Sequence, residues 1–328
     1  MPRVSVIIVS YNSGADRLDR MLASLAAQTM TDFEILLLDN NSTDGCVDNL
    51  PEMANLRLIR SSENLGFAGG VNRAAREAQG DWLALLNPDA IAEPDWLAAW
   101  LRAAARYPDV KSFGAVQLNA DDPSRLDGLG DVYHITGIAW RGGFGQSAEL
   151  RPDSDQEIFA PCGAAAFYER STFEALGGLE ESFFCYHEDV DFGARLRLAG
   201  ERSIMVADAV ILHEGSGTTG RYSEFTIYHG ARNRIWTFIR VMPPLLFWPM
   251  IPVHILINFA FVLRGLITGT GPAYFRGMKD GFLKADKAWE ARRVLQKTRK
   301  TTTGQFLKSL AWSPLALLGR RPVTRPVD

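Results

Sequence analysis

The chain has 328 residues, 47% of them hydrophobic and 22% charged, with a formal net charge of −3. That composition excludes a disordered chain, and the length fits one large domain with an appendage or two modest domains. The small net charge hides a division: residues 241–328 carry 14 Lys and Arg against 4 Asp and Glu, or +10, and residues 1–240 carry 21 against 34, or −13, so the two regions face different partners.

The opening "MPRVSVIIVSYN" has a short apolar run and no secretory cleavage pattern, so a cytoplasmic catalytic region is expected. Strand-length apolar runs then alternate with amphipathic stretches. "VSVIIVS" precedes a predicted helix "RLDRMLASLAAQ"; "FEILLLDN" and "LRLIRSS" precede a predicted helix "VNRAAREAQ"; "DWLALLN" closes the series. Apolar strands separated by helices predict an α/β fold with a mostly parallel sheet covered by helices. Ligands of such sheets sit beyond the carboxyl ends of the strands, where the runs end in Tyr11 and Asn12, Asp39 and Asn40, Asn64, and Asn87 and Asp89. Residues 111–171 are rich in glycine and turn residues and predict an irregular or antiparallel insertion. A helix at "HEDVD", a short strand within "RSIMVADAVILHEGSGT" and a helix at "SEFTIYHGARNRIWTFIRV" follow.

Several of these segments bear chemistry, each beside a plainer reading. In "LLLDNNSTDG", Asp39 ends a buried strand, where it can accept from a nucleobase or ribose, or cap an ordinary turn. "ENLGFAGGVNRAA" leads through glycines into a helix whose amides could approach a phosphate, although it matches neither common phosphate-loop pattern. In "LLNPDA", Pro88 fixes a turn that projects Asp89, a minimal anchor for Mg²⁺ or Mn²⁺. His213 in "ILHEGSG" is structural or completes that coordination, and imidazole favours Mn²⁺. Glu188, Asp189 and Asp191 either cap a helix or supply a carboxylate made more basic by its neighbours. Cys46, Cys162 and Cys185 have no metal-type spacing, leave an odd thiol, and read as reduced cysteines without chemistry.

In their order, "VSVIIVSYNSG", "LLLDNNSTDG", "NLGFAGGVNRA", "LLNPDA", "HEDVDFGARLRLAG" and "HEGSGT" resemble family 2 glycosyltransferases of GT-A fold, especially the rhamnosyltransferase-like branch. The resemblance covers residues 3–240. It implies an inverting transfer of rhamnose or a related sugar from a nucleotide-diphosphate donor to a lipid-linked or polysaccharide acceptor, with a divalent cation, Mn²⁺ or Mg²⁺, and no nucleic-acid partner. It places Tyr11, Asn12 and Asp39 along the nucleoside, Asn64 and Asn72 at ribose and diphosphate, and Asp89 with His213 on the cation. Asp189 becomes the general base, with Glu188 and Asp191 positioning base or acceptor. The family's aspartate–x–aspartate signature reads Asn87-Pro88-Asp89, which keeps Asn87 on the donor side and leaves one anionic ligand at that turn. The alternatives are a sugar nucleotidyltransferase, disfavoured by the lack of a glycine-rich, lysine-containing loop, and a non-catalytic glycan-binding or scaffold protein, disfavoured by the presence of Asp89 and Asp189.

Residues 1–240 are thus expected to form the catalytic domain and residues 241–328 an apolar, then basic, helical tail. Val241 to Leu263 carry no charge, but Pro243, Pro244, Pro249 and Pro252 are expected to interrupt the run. The run is long enough to span a bilayer, yet the basic segment after it would then face the wrong side. An interfacial anchor on the cytoplasmic face of the membrane is expected instead, with packing on the protein itself as the alternative.

Overall fold

A computed structural model describes residues 2–215 and 223–327. The first half of the chain follows the predicted alternation: β1 (Val4–Ser10), α1 (Ala15–Ala26), β2 (Phe33–Asp39), β3 (Leu56–Arg60), α2 (Gly66–Ala75), β4 (Trp82–Leu86), β5 (Ala90–Ala92) and α3 (Trp96–Arg106). Then come β6 (Ser112–Asn119), β7 (Leu126–Gly128), β8 (Asp131–Tyr133), β9 (Ala139–Arg141), β10 (Gln156–Ile158), β11 (Ala165–Glu169) and α4 (Arg170–Ala175). The chain continues through α5 (Glu188–Ala199), β12 (Ser203–His213), α6 (Glu224–Val241), α7 (Pro244–Thr268), α8 (Gly271–Leu283), α9 (Asp286–Thr298), α10 (Thr303–Ser309), α11 (Pro314–Gly319) and β13 (Arg325–Pro326).

The central sheet runs β13-β10-β12-β6-β11-β4-β1-β2-β3, with β5 and β7 added beside β12 and β6, while β8 and β9 form a separate ribbon. Pairs β1–β2, β2–β3, β1–β4 and β6–β12 are parallel, but β11 lies antiparallel between β4 and β6. The sheet is therefore mixed. Residues 111–171 are only partly an insertion, because β6 and β11 are fully integrated sheet strands. The strand expected to be short, β12, has 11 residues and crosses the sheet with a bulge between Val206 and Val210. Helix α2 starts five residues before the predicted Val71: glycines 66, 69 and 70 let it press onto its neighbours, and a side chain at Gly66 would strike the Phe184 carbonyl.

Two apolar layers sandwich the sheet. Leu18, Met21 and Leu22 of α1 and Trp96 and Trp100 of α3 fill one face; Val71 and Ala74 of α2 with Phe173, Phe192 and Leu196 fill the other. Area burial on this scale is the main stabilising term. A third cluster joins Phe159, Phe183 and Val190 to Ile235, Phe238, Phe247, Ala288, Phe306 and Leu310. Residues beyond 241 thus complete the core beneath α5.

Helix α7 runs unbroken across Pro249 and Pro252, which were expected to interrupt it. It is the one helix among the described residues long and apolar enough to cross a membrane. Its buried stripe, Phe247, His254, Asn258, Val262 and Gly265, follows helical spacing. His254 Nδ1 lies 2.8 Å from the Thr136 carbonyl, and Asn258 accepts from Arg234 at 2.9 Å. Leu245, Trp248, Leu256, Phe259, Leu263 and Ile267 are exposed on the other side.

Candidate active site

The parallel strands deliver their ends to one edge of the sheet. After β1, Asn12 adopts a left-handed conformation (φ 48°), and its Oδ1 accepts from the Thr43 amide at 2.8 Å while its own amide donates to the Ser42 hydroxyl at 3.1 Å. The loops after β1 and β2 are so tied together. Asp39 is buried with its Oδ1 accepting from the Ser42 amide at 3.0 Å and its Oδ2 3.2 Å from Arg60. Tyr11 stands 40% exposed beside them.

At the start of α2, the polar groups are largely occupied. Asn40 donates to Asn64 Oδ1 (2.9 Å) and the Gly66 carbonyl (3.0 Å) and accepts from the Leu65 amide, while Asn64 also accepts from the Gly66 amide. The Ala68 amide goes to the Phe184 carbonyl at 3.3 Å. Three of the four leading amides therefore serve the protein, contrary to the expected phosphate cradle. Asn72 is likewise corrected: its amide donates to the Leu179 carbonyl and Glu181 and accepts from the Leu179 amide, pinning the 179–181 segment to α2.

A second group lies where β4 turns into β5. The Asn87 amide donates to the Ala164 carbonyl, and the pairing of His213 with Ala90 sets the preceding Asp89 against the end of β12. His213 Nε2 lies 3.2 Å from Asp89 Oδ1, and Nδ1 lies 2.7 Å from Asp127 Oδ2. Burial lowers the His213 pKa, but Asp127 and Asp89 on either side of the ring outweigh it and raise it to about 8. Burial similarly raises Asp127, and His213 with Arg141 outweighs that and holds it below the usual carboxylate range. Despite its proximity to Asp89, Nε2 has no aligned hydrogen bond. A buried imidazole nitrogen facing a carboxylate oxygen across 3.2 Å can share one ion with it. Asp89 and His213 therefore fit a divalent cation.

The three acids at the start of α5, alike in the sequence, occupy different environments. Asp191 is 0% exposed and bonds Arg195 at 2.7 Å and Arg240 at 2.6 Å; burial raises its pKa, and the two guanidiniums overturn that and lower it. It joins α5 to α6 and does not position an acceptor. Glu188 is buried with Oε2 unpartnered, and burial with the charge of Asp189 drives its pKa well up, which disfavours its charged form. Asp189 alone is half-buried, with Oδ2 accepting from the Gly163 amide at 2.9 Å and Oδ1 from the Val190 amide at 2.8 Å.

The turn before α5 is strained. Phe184, Tyr186 and His187 all have φ near +70°, a costly conformation for non-glycine residues that clusters at functional sites. Asn233 of α6 holds it, its side-chain amide donating to the carbonyls of Phe183, Cys185 and Tyr186 at 2.7–2.9 Å.

Sequence reasoning missed Asn233, Asp127, Asp131 and Arg141. Arg141 of β9 pairs with Asp127, and its charge also reaches Asp131 and Asp189. Cys162, assigned no chemistry, lies with Asp131 and Asp189 in a cluster whose ligand atoms are all within 4.8 Å of one another. The available signal was "LDGLGD", two acids four apart around glycines, which reads equally as turn chemistry. The "HEGSGT" motif lies partly outside the described residues.

Residues 5–177 match the profile of Glycosyl transferase family 2. The N-acetylglucosaminyl-diphospho-decaprenol L-rhamnosyltransferase of Mycobacterium tuberculosis is 33% identical over 241 residues, covering 66% of this chain and 77% of that protein. The O-antigen chain rhamnosyltransferase WbaN of Salmonella anatum is 25% identical over 240 residues, covering 70% and 73%. Among solved structures, the mannosyltransferase PcManGT from Pyrobaculum calidifontis, in complex with GDP-Man and Mn²⁺, aligns with a TM-score of 0.54 at 20% identity over 92% of this chain and 88% of that one. GalNAc-T7 with UDP, GalNAc and Mn²⁺ aligns at 0.58 and 14% identity over 73% of this chain, which spans about half of GalNAc-T7 (48%). Profile, relatives and fold converge: the chain belongs to the family 2 glycosyltransferases of GT-A fold, in their rhamnosyltransferase-like branch.

Proposed function

We propose that this glycosyltransferase moves rhamnose or a related sugar, with inversion, from a nucleotide diphosphate to a lipid-linked acceptor at the cytoplasmic face of a membrane. The observation that carries the reading is Asp189: of the three acids opening α5 it alone is only half-buried and oriented by backbone amides, with neither a buried guanidinium partner nor complete burial. Its carboxylate takes the proton of an acceptor hydroxyl as that oxygen bonds to the anomeric carbon and the sugar–phosphate bond breaks. Such general-base assistance is worth about 10²–10⁴-fold. Asp89 and His213 would hold the cation. A divalent cation bound there supplies positive charge for the leaving diphosphate. Tyr11, Asn12 and Asp39 form the nucleoside side, with Asn87 at the adjoining turn.

The interfacial reading of the tail rests on α7. Its buried stripe extends from Phe247 to Gly265, about 27 Å of helix at 1.5 Å per residue. A helix docked along that length on a folded body lies tangent to it and offers the opposite apolar face to a bilayer surface, and the basic residues that follow attract anionic lipid.

Purified protein with Mn²⁺ or Mg²⁺, screened for binding against UDP-, GDP- and dTDP-linked sugars including rhamnose, identifies the donor; transfer to N-acetylglucosaminyl-diphospho-polyprenol is then measured. Asp189→Asn is expected to keep donor affinity and lose at least about 100-fold in turnover. Turnover within a few-fold of wild type would remove Asp189 as the base.

A further inference from the structure

We propose that Asp131 is a positioning residue, a carboxyl group that donates a hydrogen bond to the Asp189 carboxylate and holds it in the orientation in which it takes the acceptor's proton. The inference rests on the reading of Asp189 as general base. Asp131 opens β8, where its amide bonds the Ala160 carbonyl at 2.8 Å, and the Gly163 amide that orients Asp189 lies three residues further along the same segment. The Asp131 backbone and the Asp189 carboxylate are therefore both docked on residues 160–163. A carboxylate oxygen of each residue lies within 4.8 Å of the other's. Asp131 is 6% exposed, and its Oδ2 meets no donor.

A buried carboxylate this close to a half-buried one cannot share full ionisation with it at low cost, so one keeps a proton and the pair becomes donor and acceptor. The surroundings decide which. Asp131 faces Asp189 and Glu188 from α5, Arg141 from β9, Cys162 and Tyr168. Burial drives Glu188, Cys162 and Tyr168 toward their neutral forms, leaving Arg141 as the cation. Arg141 already serves Asp127 and Asp189. A third carboxylate would be uncompensated, and burial followed by the charge of Asp189 pushes Asp131 well above the usual range. The proton thus sits on the deeper residue, and Asp189 remains an acceptor for the substrate hydroxyl.

The test compares Asp131→Asn, which keeps a neutral donor, with Asp131→Ala, which removes it, using dTDP- and UDP-rhamnose and N-acetylglucosaminyl-diphospho-polyprenol. Asp131→Asn should stay within about threefold of wild-type kcat with the acidic limb of its pH profile unmoved. Asp131→Ala should lose about 10- to 100-fold in kcat at unchanged donor KM, the range of a hydrogen bond to a charged group. Its acidic limb should move up by about one to two pH units, because Asp189 loses a donor to its ionised form. Merely structural damage lowers activity without moving that limb. Melting gives an independent readout: folded Asp131 holds a proton that the unfolded chain releases near pH 4, so the advantage in Tm of Asp131→Asn over wild type should grow from pH 5 to pH 8. A lower Tm for Asp131→Asn throughout, or an unmoved limb in Asp131→Ala, overturns the proposal. Full activity in Asp189→Asn overturns the base assignment itself, whatever the Asp131 variants do.

Discussion

Asp191→Asn separates anchoring from catalysis within the acidic cluster. It removes a charge with 0% exposure from between Arg195 at 2.7 Å and Arg240 at 2.6 Å. Breaking a buried ion pair costs about 3–5 kcal/mol. Here neither cation is stripped bare: Arg195 keeps the Leu176 and Gly178 carbonyls at 2.7 Å, and Arg240 keeps Glu180 at 2.6 Å. The low end, about 3 kcal/mol, is therefore expected, corresponding to a fall in Tm of about 4 °C for 328 residues at about 2.1 cal/mol/K of unfolding entropy per residue. Because domains are stable by about 5–15 kcal/mol, the variant remains folded at 25 °C and should keep donor affinity and turnover within a few-fold. The assay is thermal melting with donor calorimetry and turnover, measured well below the variant's Tm. A melting point within 2 °C of wild type, together with a hundredfold loss of turnover, would refute the anchoring role and return Asp191 to the chemistry.

Asp89→Ala should abolish the Mn²⁺ dependence of donor binding, since position 87 is Asn and offers no second charge, and His213→Ala should weaken it less; equal donor affinity in all three proteins, measured by calorimetry with and without Mn²⁺, removes the site. Burial, with the charges of Arg234 and His254, lowers the His187 pKa to about 3. The unfolded chain binds that proton near pH 6.5 and the folded chain does not, so this term is fully present above 6.5 and is lost as pH falls toward 3, by up to about 1.4 kcal/mol per pH unit. His187→Asn, which tolerates the left-handed φ, should flatten the loss in denaturant titrations between pH 6.5 and 4, and an unchanged slope counts against the assignment. Leu256→Glu with Phe259→Glu should shift the protein from membranes to the soluble fraction, whereas salt alone should extract wild type only in part. Retention of the double variant after a high-salt wash contradicts the interfacial helix. Deleting residues 241–328 is not an equivalent test, because Phe247 and Phe306 are core side chains.

The alternation of apolar runs was enough to place β1, β2, β3, β4 and α1 within a few residues, because strand and helix periodicity are local properties of the chain. The polar residues ending those runs marked the functional edge of the sheet for the same reason. Proline misled over α7, where the helix persists because docking along its buried stripe outweighs the lost backbone bonds. The glycines and turn residues of 111–171 rightly pointed to antiparallel pairing, seen in β6–β7, β8–β9 and β6–β11, but not to the integration of β6 and β11 into the main sheet, which β12 and β4 supply from elsewhere in the chain.

The site divides in the same way. Residue type and order identified the sugar-transferring family and singled out Glu188, Asp189 and Asp191, but they did not distinguish those three acids. Ionisation depends on burial and on charges brought from elsewhere: Arg240 reaches Asp191 across 49 residues, Asp127 reaches His213 across 86, and Asp131 reaches the Asp189 cluster from a turn that resembles any other. A chain read locally reports which groups can carry charge; only packing decides which of them is neutral, which is locked in an ion pair, and which is left open to take a proton.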